Sequence, residues 1–151
     1  MTTEPRQLAA DCRVALEAAQ TREEIVAVVC QLGLDQIAAR INFLIDLPLE
    51  EADEATMDIE SLRSAIKFLL CDPGMPHPGI GVGPDGNVGF DWCLQPTGLI
   101  ALSFQSTDLV NYAAIVPARA DQEDHHRFSG SAGIEDTFER IAPVLSQAVV
   151  G

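Results

Sequence analysis

The sequence predicts an α+β fold, with N-terminal helices packed on an antiparallel β-meander of about four strands and a C-terminal helix closing the chain. Three observations carry this expectation. Apolar residues recur at helical spacing through residues 1–71, the period shortens to two from Ile80, and an amphipathic pattern returns at Ile134. The 151 residues suit one domain, and a chain of this size buries roughly two thirds of its unfolded surface without help from a disulfide or metal. The expected layout is a single α+β domain over 1–151: a helical half at 1–71, a meander at 78–116, and a loop with the closing helix at 117–151.

Each element has a local reason. Pro5 suits a first helical turn, and Leu8, Cys12, Ala15, Leu16 and Ala19 share one face of a helix over about 5–19. Thr21 and Glu24 have capping-box spacing and open a second helix with the stripe Ile25, Val28, Val29 and Leu32, which Gly33 ends. A third helix runs from Asp35 with Ile37, Ile41, Leu44 and Ile45 inward, and Pro48 stops it. A fourth places Ile59, Leu62, Ile66, Leu69 and Leu70 on one face before three prolines in DPGMPHPG break it. Val88, Phe90, Trp92 and Leu94 then alternate with Asn87, Gly89, Asp91 and Cys93, a strand with one buried face. QPTG and STD turn the chain into LIALSFQ and LVNYAAIV; connections this short join antiparallel neighbours. Residues 117–133 read as a polar loop with one short strand around Arg127 to Ser129. The last helix carries Ile134, Phe138, Ile141 and Leu145, with a kink or split expected at Pro143.

Composition narrows the function classes. Nine basic residues against 23 acidic ones leave a formal charge of −14, which repels nucleic acid and anionic membranes. The N-terminus has no basic region followed by an apolar core, and no apolar run approaches the ~20 residues of a membrane span; the expected location is the cytoplasm. Lys67 is the only lysine among the basic residues, a bias that fits a bacterial source. The four cysteines, Cys12, Cys30, Cys71 and Cys93, form no C-x-x-C pair and read as buried reduced thiols.

Each candidate site in the sequence has a structural alternative. Gly81, Gly83 and Gly86 match G-x-G-x-x-G, yet a dinucleotide loop needs a helix straight after it. Here a strand follows, Pro84-Asp85-Gly86 has hairpin-turn chemistry, and residues 68–118 contain no Lys or Arg to neutralise a phosphate. His77, His125 and His126 carry metal-ligand side chains without ligand spacing, so no metal and no cofactor are expected. Cys93 lacks a basic neighbour to activate it as a nucleophile, and the Asp85-Gly86-Asn87 run lacks the later acids of a calcium loop.

The run SLRSAIKFLLCDPGMPHPGIGVGPDGNVGFDW, residues 61–92, combines a helix ending near Phe-Leu, a proline-rich break, and Asp-Gly-x-Val-x-aromatic-acid-Trp. It resembles a pattern seen in uncharacterised small bacterial helix-plus-β-meander proteins. That resemblance implies no activity and transfers no catalytic residue.

The strongest compositional anomaly is acidic. Asp46, Glu50, Glu51, Asp53, Glu54, Asp58 and Glu60 fall within fifteen residues without a base among them, and Leu47, Leu49 and Met57 supply apolar anchors. The leading expectation is a non-enzymatic acidic module that binds a basic protein, in an accessory, antitoxin-like, immunity-like or inhibitor role. The alternatives are a metal-dependent or small-molecule site around His77, His125 and His126, and a structural subunit of a homo-oligomer. The third and fourth strands are apolar on both faces, so either helices cover both sides or a second copy packs there, and a homodimer is favoured.

Overall fold

The computed structural model describes residues 5–46, 56–94, 98–105, 108–116 and 126–145. Four helices come first: α1 (Pro5–Ala18), α2 (Arg22–Gln31), α3 (Asp35–Asp46) and α4 (Ile59–Cys71). Their boundaries follow the signals in the sequence. Thr21 caps α2 by accepting from the Glu24 N–H at 3.1 Å, and Gly33 follows its end with φ of +79°. Asp58 caps α4 in the same way, accepting from the Ser61 N–H at 2.8 Å.

Five strands follow: β1 (Gly79–Val82), β2 (Val88–Leu94), β3 (Gly98–Phe104), β4 (Leu109–Val116) and β5 (His126–Gly133). They pair antiparallel in chain order, β1-β2-β3-β4-β5. α5 (Ile134–Leu145) closes the described chain and runs through Pro143 as one helix rather than splitting there. The fold is therefore α+β, with N-terminal helices, a central meander and a C-terminal helix. The meander has five strands rather than about four, because β5 occupies the segment read as mostly loop. Its inward positions Phe128, Gly130 and Ala132 include two small residues, so the strand lacks the alternation of bulk that marks β2.

The sheet buries one face. Val88, Phe90, Trp92, Ile100, Leu102, Phe104, Val110 and Tyr112 point inward and are almost fully covered. α4 packs on β2 and β3, α5 packs on β4 and β5, and α1 and α2 lie against α4. Phe68 of α4 is the centre of this packing. Its ring meets Phe104 and Phe138 with centroids 5.7 Å apart and Trp92 at 6.2 Å, joining α4, α5 and two strands. On the other face, Asp91, Cys93, Leu99, Ala113, Arg127, Ser129 and Ser131 are exposed, with Ala101 and Ile115 half-buried. Among the described residues, helices thus cover one face of the sheet and not both.

The glycine-rich run turns a corner. Gly86 N–H donates to the Gly83 carbonyl at 2.9 Å, and the Asp85 carboxylate accepts from the Asn87 N–H at 3.2 Å. This is a hairpin turn between β1 and β2. The turn docks on the chain just before α4: the Gly86 carbonyl accepts from the Asp58 N–H at 2.9 Å.

Candidate functional site

A cleft of about 470 Å³ opens where α1, α4, the β3–β4 connection and the start of α5 converge. Arg13 and Glu17 reach it from α1, Lys67 and Cys71 from α4, Asp108 from the connection, and Glu135 and Asp136 from the first turn of α5. Helical spacing explains the first two pairs, since residues four apart share a face. Asp108 takes a left-handed backbone, φ of 62°, which Asp tolerates better than most residues.

The sole lysine of the chain organises this cleft. Lys67 Nζ lies 3.0 Å from Glu17 and 3.2 Å from Asp108, and the Ser64 hydroxyl donates to Asp108 at 2.8 Å. Partial burial works against the Lys67 charge, but the hydrogen bonds and charges of Glu17 and Asp108 outweigh it and raise the amine above its ordinary value. Burial likewise works against the Asp108 carboxylate, yet hydrogen bonds from Ser64 and Lys67, with the charges of Lys67 and Arg63, hold it below the usual range. Burial raises the Cys71 thiol, Arg13 opposes the rise, and Glu135 and Asp72 add to it. The chemical consequence is restrictive. A lysine held charged is no general base, a thiol held protonated is a poor nucleophile, and the Ser64 hydroxyl is buried beyond the reach of a substrate. Four carboxylates to two cations leave the cleft net negative.

The acidic segment divides by role. Asp46 is exposed at the end of α3. Asp58 caps α4, and Glu60 pairs with Arg63 at 3.2 Å. Arg63 is itself buried and donates to the Leu16 and Ala19 carbonyls at the end of α1, so Glu60 helps to hold two helices together. Glu50, Glu51, Asp53 and Glu54, with Leu47 and Leu49, lie outside the described residues. Met57 is buried and so is a core residue rather than a surface anchor.

The histidines are spread apart. His77 is exposed just before β1, His126 begins β5 at the opposite edge of the sheet, and His125 lies outside the described residues. Four strand spacings separate the two edges, about 19 Å. Among the described residues no group of three or more His, Cys, Asp or Glu is placed to hold a metal ion, and no helix is long and apolar enough to cross a membrane. The expectation of four buried thiols holds for Cys12, while Cys71 is half-buried and Cys30 and Cys93 are exposed. Cys93 sits on the outer sheet face because alternation in β2 sends Trp92 inward.

The polar contacts that matter most to the fold had no motif to announce them. Ser61 is fully buried; its hydroxyl donates to the Phe104 carbonyl at 2.5 Å and accepts from the Val88 N–H at 2.7 Å. Arg140 donates to the Tyr112 hydroxyl at 2.8 Å with its guanidinium 5.8 Å from the ring centroid. The only signal was that Ser61 and Arg63 fall within a helix rich in apolar residues.

No family model, curated protein or solved structure matches the chain.

Proposed function

We propose that the protein is a non-enzymatic acidic module that binds a basic protein. The observation that carries this reading is the disposition of the basic side chains. Among those described, Arg13 pairs with Glu135, Arg22 and Arg40 donate to the carbonyls of Met57 and Ile80, Arg63 and Lys67 are held as above, and Arg140 is bound to Tyr112. Of the basic residues whose side chains are described, Arg127 is the one without such a contact. The other described cations are engaged in contacts within the chain, and with 23 acids against nine bases most carboxylates are left without a counter-charge. A surface of that kind attracts a basic partner at long range and loses the attraction as salt screens it. The charged state of Lys67 and the protonated thiol of Cys71 in the cleft, with the Ser64 hydroxyl buried behind it, support a binding role over a catalytic one. The module is also read as a homodimer, because no helix among the described residues covers the apolar centre of the outer sheet face.

The test is capture of partners by the tagged protein from its native cells at low salt, followed by a salt step. A stoichiometric basic protein that elutes between about 50 mM and about 500 mM salt is expected, as the Debye length falls several-fold over that range. Replacing Glu50, Glu51, Asp53 and Glu54 by lysine should abolish capture without touching the cap of α4. A partner retained equally at both salt concentrations and by the lysine variant would overturn the reading.

A further inference from the structure

We infer that two copies of this chain pack their outer sheet faces together about a two-fold axis that sets Asp91 of each copy against Arg127 of the other. The inference rests on the homodimer reading above and specifies its interface.

The strand register supplies the geometry. Leu99 pairs with Ile115 and Ala101 pairs with Ala113, so these four residues form a square at the middle of the outer face. Asp91 lies one strand beyond Ala101, on β2, and Arg127 lies one strand beyond Ile115, on β5. The two charged residues therefore flank the square at opposite ends of a diagonal. Both are exposed, and neither has an ion-pair partner among the described residues. A two-fold axis lying between stacked sheets and crossing the square exchanges the ends of that diagonal, so one operation forms two Asp91–Arg127 pairs.

Other features of the face agree with a second copy as its occupant. The remaining outward strand positions among the described residues, Cys93 and the exposed Leu109 included, carry no charge, so a sheet can approach without burying further strand charge. Strand spacing and rise give the face an outline of about 550 Å² per copy, or about 1,100 Å² for two, the lower end of what specific interfaces bury. A foreign partner of matching basic charge is disfavoured here, because the described strand positions of this face hold one charge of each sign.

Sedimentation velocity of the wild-type chain from about 1 to about 200 µM, with the variants Asp91→Arg, Arg127→Asp and the double exchange, tests the inference. Net charge and specific pairing predict opposite outcomes for one variant. Asp91→Arg moves the formal charge from −14 to −12, which eases association if overall repulsion governs it. Specific pairing makes both single variants dissociate more readily. Each reversal acts twice in a symmetric dimer, so the dissociation constant should rise by about tenfold or more, and the double exchange should return it to within about threefold of wild type. Circular dichroism of each variant checks that the exposed substitutions leave the fold intact. A wild-type monomer throughout the range overturns the homodimer reading and this inference with it. A wild-type dimer that tolerates both single reversals, or that the double exchange fails to restore, overturns the Asp91–Arg127 pairing alone.

Discussion

Asp108 joins three elements through one carboxylate. It accepts from Ser64 and Lys67 on α4, and Lys67 reaches onward to Glu17 on α1. Because folding lowers its pKa, the folded state binds the proton less readily than the unfolded state does, and Asp108 stabilises the fold above the ordinary carboxylate pKa. That contribution disappears as pH falls from about 4 through the depressed folded value. Asp108→Asn keeps a side chain that tolerates the left-handed backbone while removing the titrating group. The variant is expected to be less stable than wild type at pH 7 and to lose less stability between pH 7 and pH 3. Urea denaturation at both pH values measures the difference. Equal losses in the two proteins would show that the Asp108 charge does not contribute in this way.

The β1–β2 hairpin shows how an element can be prescribed locally and still depend on its neighbours. Turn chemistry calls for Gly86, whose φ is +85°. Tertiary packing adds a second demand, since a Cβ at Gly86 would stand 2.5 Å from the Thr56 carbonyl. Gly86→Ala is expected to cost about 2 kcal/mol or more, from left-handed strain and displacement of the segment leading into α4. A Cβ at Gly81, by contrast, meets nothing within 4 Å, so Gly81→Ala in the same hairpin should stay within about 0.5 kcal/mol of wild type. Thermal melts of the two variants side by side check the claim. Equal destabilisation would mean that the hairpin responds to lost glycine in general rather than to its dock on Thr56. The four helices and the first hairpin were legible in the sequence because caps, glycines and apolar periods are local. β5 was legible only as a short strand around Arg127 to Ser129, since the Tyr112 hydroxyl lies 2.7 Å from where a Gly130 Cβ would stand, and the strand that accommodates it must be small there.

At the scale of the whole molecule, charge and core oppose each other. A formal charge of −14 acts against the folded state through self-repulsion, while one apolar core centred on Phe68 holds the sheet to two layers of helix. Screening should relieve the repulsion. The melting temperature is expected to rise by several degrees between about 20 mM and about 300 mM sodium chloride, as the Debye length shrinks below the spacing of surface charges. Differential scanning calorimetry over that range measures it. A melting temperature that falls with salt would mean that the internal ion pairs around Lys67 and Arg63 outweigh the repulsion among exposed carboxylates.

The sequence by itself determined the class of the fold, the order of its helices, the inward face of β2 and the acidic excess, because each depends on residue spacing or on a sum over the chain. The tertiary structure decided which polar residues hold that fold together. Ser61 bridges β2 and β3, Arg63 reaches the end of α1, and Lys67 lies between Glu17 and Asp108; these contacts span from 27 to 50 residues of sequence, and no local pattern marks either end. It also decided that no helix among the described residues covers the outer face and that Asp91 and Arg127 flank its apolar centre. Strand register sets that placement, and register follows from the packing of all five strands together.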